Sequence, residues 1–179
     1  MNLKFSLASL FGGRAAVANN TIPNPKAVLA APGTQLHYNA GLIPRFLGHH
    51  GVLVDLISKV RSSAIAGDYV HNAKYIRKFK LMLNEHLLEE NLLLYTYLGH
   101  CLKDDTEGNE LMQEMRKEMG TIGRAVTQFI RHYEEFGVDA RNVNKFTEEL
   151  DGITSALGDR IAREERSLYT LYMPPADIN

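Results

Sequence analysis

Asn84-Glu85-His86-Leu87-Leu88-Glu89-Glu90-Asn91-Leu92-Leu93-Leu94-Tyr95 is the stretch that decides how the chain reads. At helical period His86 and Glu90 lie one turn apart, on a face continued by Ile76, Phe79 and Leu83 before them and by Leu93 and Tyr97 after. An imidazole and a carboxylate thus occupy an apolar seam, where a buried polar group without a partner costs several kcal/mol. They need hydrogen bonds, an ion pair or a metal ion, and the two residues alone do not separate a wetted His–Glu pair from a ligand set.

Outward from this stretch the periodic pattern continues on both sides. A first helix is predicted from near Leu42–Pro44 to Ala66-Gly67, with Phe46, His50, Leu53, Ile57, Val60 and Ala64 on its seam. Asp68 is a candidate N-cap for the second helix, which carries the opening stretch and runs to about Gly99. A third is predicted from about Glu107 to Phe136, closed by Gly137. A fourth spans about Asn142 to Tyr172, with Phe146, Leu150, Ile153, Leu157, Arg160, Glu164, Leu168 and Leu171 inward, and Pro174-Pro175 stops it. Four long helices joined by short turns imply an all-α, antiparallel up-down-up-down four-helix bundle over 42–173. Residues 1–41, rich in glycine, asparagine and proline, read as an irregular N-terminal tail whose Phe5, Leu10 and Phe11 could dock on the body; 174–179 form a short C-terminal tail.

The bundle assignment brings distant residues to one level. Counting from the connecting turns places His50, His86, Glu90, Met119, Arg160 and Glu164 in a single layer of the core, and five of these six are polar. Imidazoles and carboxylates converging from several helices are the material of bundle metal sites, and they suit iron, zinc or manganese.

Composition narrows the function classes. The chain has 179 residues with 45% hydrophobic and 23% charged side chains, as expected of one ordinary globule. A net charge of −1 offers no electrostatic footprint for nucleic acid or an anionic membrane. No apolar run approaches the roughly 18–20 residues that span a bilayer, and the short run Phe5–Phe11, interrupted by Arg14, makes a poor secretory signal. Cys101 is the single cysteine, so neither an internal disulfide nor a cysteine-based zinc site can form; a reducing, cytoplasmic setting is expected. No Ser-His-Asp pattern, phosphate loop or nucleophilic cysteine motif points to other catalysis.

Three segments carry a resemblance to the hemerythrin-like, or HHE cation-binding, family: Leu47-Gly48-His49-His50-Gly51-Val52-Leu53, His86 to Tyr95, and Arg160-Ile161-Ala162-Arg163-Glu164-Glu165-Arg166-Ser167-Leu168-Tyr169. The resemblance covers about 42–172 and implies a di-iron centre with histidines on all four helices and bridging carboxylates on the second and fourth. Transferred by position, it assigns His50, His86, Glu90 and Glu164 as ligands. It fails at two places: Met119 stands where the third helix would offer histidine, and Arg160 where the fourth would. Arginine is permanently protonated and has no lone pair to donate. The resemblance therefore implies one retained metal site, most simply one iron, with the Arg160 charge standing in for a second ion; no ion and two ions remain as alternatives. Glu118, beside Met119, is the further carboxylate that could swing into the layer as a ligand.

Three functions follow. The first is an iron-binding protein for sensing, metal handling or regulation rather than oxygen transport. The second is a metal-free interaction module with a protein partner, since Leu150-Asp151-Gly152-Ile153 through Arg160–Glu165 is similar to the last helix of the regulator of sigma D, an anti-sigma factor. The third is a di-iron oxidase or peroxidase that uses Glu118. Elsewhere His49 is expected at a helix rim, His37, His71, His100 and His132 at the surface or in caps, and Met112, Met115 and Met119 as core filler rather than a thioether copper site.

Overall fold

A computed structural model describes residues 30–175. The expected docking of Phe5, Leu10 and Phe11 lies outside these residues. Among them there is no strand, only an isolated bridge between Ala30 and His37, and the fold is helical throughout.

Helix α1 spans Leu42–Ile65. Gly67, at φ 72°, supplies the left-handed turn that an L side chain resists, and the Asp68 carboxylate then caps α2 (Tyr69–Glu89) by accepting from the His71 amide at 3.2 Å. The second rod does not stop at Glu89. It passes through a π-helical segment, Glu90–Tyr95, into α3 (Thr96–Cys101), with right-handed helical backbone angles at both junctions. Asp105 caps α4 (Thr106–Phe136) through the Gly108 amide at 3.0 Å, and Gly137 at φ 71° ends it. The fourth rod repeats the irregularity of the second: α5 (Val143–Arg163) runs into a π-helical segment, Glu164–Leu168, and then a 3₁₀ turn, Tyr169–Leu171.

The four rods close a ring, α1 packing on α2 and α5, and α4 on α5 and α2. Ion pairs stitch three of these seams: Arg61 to Asp151 at 2.8 Å, Lys80 to Glu134 at 2.6 Å and Arg163 to Glu118 at 2.7 Å. Exposed pairs of this kind contribute at most about 1 kcal/mol each, so the apolar core carries the fold. That core is split in two. One cluster contains Leu53, Val60, Phe79, Leu83, Met119, Phe146 and Leu157; the other contains Leu42, Phe46, Leu94, Tyr97, Met115 and Leu168. His50, His86, Glu90, Arg160 and Glu164 lie between them along the chain and are all buried. The polar residues thus form a floor across the bundle.

The π segments correct one part of the periodic reading. Leu93 was expected inward, but it is partly exposed, whereas Leu94, Tyr95, Tyr97 and Leu98 are buried. A π turn takes one residue more than an α turn and so rotates everything after it about the axis. Thr96 donates to the Asn91 carbonyl at 3.0 Å and Asn91 to the Leu87 carbonyl at 2.8 Å, so side chains serve the carbonyls of the widened ladder. Residues 30–41 are more ordered than a linker: Ala31 is buried and its amide bonds Leu36, while Tyr38 stacks on Tyr172 at 5.0 Å.

Candidate metal centre

His50, on the inward face of α1, is bound at both ring nitrogens. Nδ1 lies 2.8 Å from Glu165, while Nε2 lies 3.1 Å from Oε2 of Glu164 and 3.2 Å from the Tyr169 hydroxyl. Burial opposes a charge on this ring, but hydrogen bonds to Glu164 and Glu165 outweigh it and raise its pKa above the ordinary value. In the neutral state the Glu165 carboxylate holds the proton on Nδ1, which leaves the Nε2 lone pair facing the layer. The Tyr169 phenol, pushed upward by burial and then by Glu164 and Glu90, stays protonated beside Nε2.

His86 differs. Burial, followed by the positive neighbours His50, His49 and Arg160, lowers its pKa to about 3, so it is a neutral imidazole at any ordinary pH. Its ring stands 4.9 Å, centroid to centroid, from that of His50, and its Nδ1 has no hydrogen-bond partner in the protein. A neutral ring with an uncommitted nitrogen is what a metal requires of histidine.

The carboxylates divide their duties. Glu164 Oε1 sits 2.7 Å from Nη2 of Arg160, and Oε2 faces His50. The Arg160 contact is a close ion pair whose angles are not those of a good hydrogen bond, since Oε1 also counts as unbonded. Arg160 Nη2 donates further to the Tyr95 hydroxyl at 2.8 Å. Glu90 is wholly buried, and apart from the neighbouring Glu164 carboxyl its oxygens have no hydrogen-bond partner. Burial first, and then the charge of Glu164, push its carboxyl well above the usual range, with Arg160 acting in the opposite sense.

One ligand atom from each of His50, His86 and Glu164 can be chosen so that all three lie within 4.8 Å of one another. Ligands at about 2.0–2.2 Å from one ion stand roughly 3–4 Å apart, so a small inward adjustment suffices. The unpartnered Nδ1 of buried His86 and the two buried carboxyls Glu90 and Glu164 set against each other are the second sign that the residues fit a cation.

Of the residues singled out from the sequence, His50, His86 and Glu164 form this group, and Glu90 is buried in the same floor. Glu118 is not brought there. Both of its oxygens accept from Nη1 of Arg163 at 2.7 Å, at the edge of the bundle, because α4 presents Met119 rather than Glu118 to the core. His49 is half-buried beside His86, the ring centroids 5.9 Å apart. Sequence reasoning missed Tyr95, Tyr169 and Glu165. Both tyrosines follow their glutamates by five residues, Glu90 to Tyr95 and Glu164 to Tyr169, a repeat legible in the sequence that the α-helical period places off the seam.

A helical bundle whose core is floored by imidazoles and carboxylates from facing rods belongs, as a class, with the bundle metal proteins. The sequence agrees: residues 42–172 match the model of the hemerythrin HHE cation-binding domain. This chain is a member of that family. No curated protein and no solved structure gives a significant match.

Proposed function

We propose that this domain holds one iron ion on His50, His86 and Glu164, with Glu90 as a further ligand and Arg160 in place of a second ion. The observation that carries this reading is the buried group His50–His86–Glu164. A bound iron supplies a redox-active Lewis acid within an otherwise apolar core. The chain's own residues prepare for it. Glu165 orients His50, burial keeps His86 uncharged, and Arg160 fixes one oxygen of Glu164 so that the other points to the histidines.

A single site, lacking imidazoles where Met119 and Arg160 stand, suits sensing, metal handling or regulation better than reversible oxygen carriage, which in this family uses two irons. The proposal extends to an up-down-up-down order of the rods in one domain over 42–173, with a cytoplasmic location supported by the lone cysteine. The pairs Ser63–Asn72 and Tyr133–Glu149, each joining the end of one rod to the first turns of the next, and Lys80–Glu134, joining the first half of the second rod to the end of the third, support that order.

The test is elemental analysis of aerobically purified protein together with its near-ultraviolet spectrum. One iron per chain without an oxo-bridge charge-transfer band is expected. Two irons with that band would refute the single-site reading and favour an oxidase or peroxidase. A second reading, a metal-free module that binds a protein partner, draws on Leu81, Leu88 and Leu92, each more than half exposed on the second rod. Protein without iron, unable to take it up, would favour that reading.

A further inference from the structure

The outer face formed by α4 and α5 carries a groove of ≈ 620 Å³, and no residue of the polar floor lines it. Ile122, Phe129 and Ile153 form its bottom, while Ala125, Gly152 and Ala156 are too small to fill it. A side chain added at Gly152 would meet nothing within 4 Å. At one end of the groove His132 lies beside Phe136, ring centroids 5.0 Å apart, and Phe136 is 67% exposed. An exposed aromatic ring next to an open apolar groove marks a surface that another surface covers.

The charges beside the groove identify that other surface. Arg124, Gln128, Arg131 and Glu135 follow at helical spacing along the outside of α4, and Lys145, Glu148, Gly152, Ser155 and Asp159 along the outside of α5, all exposed. Among the described residues only Lys145 of these has an ion-pair partner, Glu149 at 3.7 Å. The bond from Tyr133 to Glu149 at 2.9 Å and the pair Arg163–Glu118 at 2.7 Å fix the two helices against each other. Counted from those contacts at equal rise, Arg124 comes level with Leu157-Gly158, Arg131 with Leu150-Asp151 and Glu135 with Phe146-Thr147. Each therefore has an opposite charge within a turn of its own level on α5: Asp159, Glu148 and Lys145 respectively.

We propose that the α4–α5 face is the two-fold interface of a homodimer, with α4 of each copy lying antiparallel on α5 of the other. A two-fold axis parallel to the helices keeps every residue at its own level. Arg124 then meets the partner's Asp159, Arg131 the partner's Glu148 and Glu135 the partner's Lys145, and opposite charges set the register. The alternative two-fold, α4 on α4, at its best offset pairs Arg124 with Glu135 and Lys145 with Asp159 but leaves Arg131 and Glu148 facing uncharged residues. The area is also sufficient. The 31 residues of α4 span roughly 46 Å, so a face two helices wide offers about 900 Å², comparable to the about 800 Å² that each partner gives to a stable interface. None of these residues belongs to the His50–His86–Glu164 group, so the interface needs no ion.

Sedimentation equilibrium of the full chain at micromolar concentration tests the proposal, and should give twice the 20.1 kDa chain mass. Arg124→Glu and Asp159→Arg each set like charges together at both symmetry-related contacts, and each should weaken dimerisation at least about tenfold. The double variant exchanges the two charges and should recover the parent's affinity to within about threefold. Gly152→Tyr, unopposed within its own chain, should block the partner's approach and give a monomer with the parent's helical spectrum. A monomer at every concentration, single charge variants or Gly152→Tyr that dimerise like the parent, or a double variant no tighter than either single would each overturn the proposal, the last because α4-on-α4 packing is weakened by both changes.

Discussion

Nε2 of His50 and Oε2 of Glu164 face each other at 3.1 Å between the first and last rods, while Nδ1 of the same ring is held by Glu165 at 2.8 Å. The ring is therefore aimed from behind by one carboxylate and met in front by another. That arrangement gives the two neighbouring glutamates different tasks.

Glu165→Gln tests the rear contact. The amide can still reach Nδ1, but it no longer favours the proton there as a carboxylate does. Iron affinity should fall by about 10–100-fold with little loss of fold stability, because Glu165 is partly exposed. Competition with a chromogenic chelator measures it, and an unchanged affinity would leave Glu165 without a role at the metal.

His86→Ala tests the front. It removes a neutral imidazole and should bring iron binding below detection, with loss of the thermal stabilisation that iron gives the parent protein. Differential scanning calorimetry with and without a chelator reads both effects. Retention of one iron per chain by this variant contradicts the assignment.

The pH dependence of the metal-free protein has two limbs of opposite sign. The Glu90 carboxyl is raised well above 4.5 in the fold and His50 above 6.5. Each holds a proton that the unfolded chain releases, so their contribution is full below those ordinary values and is lost as pH rises through the folded ones. His86 is lowered from 6.5 to about 3, so its contribution is present above 6.5 and is lost as pH falls toward 3. Urea denaturation of metal-free protein between about pH 4 and about pH 9 should show a maximum between the limbs, and Glu90→Gln should flatten the alkaline one. A Glu90→Gln profile that superimposes on the parent's contradicts the neutral-acid state of Glu90.

Arg160→His combined with Met119→His tests whether arginine replaces an ion. Both positions border the floor, and the double change returns imidazoles where a second iron would need them while freeing Glu164 from its guanidinium. A second iron should then bind. If it does not, and the variant is instead destabilised by the ~3–5 kcal/mol typical of an abandoned buried charge, Arg160 serves the scaffold alone.

The periodic sequence determined much of this architecture. The spacing of Phe46, His50, Leu53 and Ile57, and of Ile76, Phe79, Leu83 and His86, is that of amphipathic helices, and Asp68, Gly137 and Pro174-Pro175 mark their ends. It placed His50, His86, Glu90, Arg160 and Glu164 inward, and all five are buried. The resemblance to the hemerythrin-like family, not the spacing, marked Met119 and Arg160 as departures from a di-iron ligand set.

Only the tertiary structure decided what surrounds those residues. Glu165 reads as a surface residue because it adjoins Glu164, yet it reaches around the helix edge to His50; Glu118 reads as a possible ligand, yet Arg163 on the next rod captures it. Tyr95 and Tyr169 lie off the seam at 100° per residue and reach the floor because a π segment begins at each glutamate. A sequence period assumes a constant rotation along the helix. Where the backbone takes an extra residue in one turn, the phase is set by what the neighbouring rods offer, here the Arg160 guanidinium for Tyr95 and the His50 ring for Tyr169, and that choice exists only once the rods have packed.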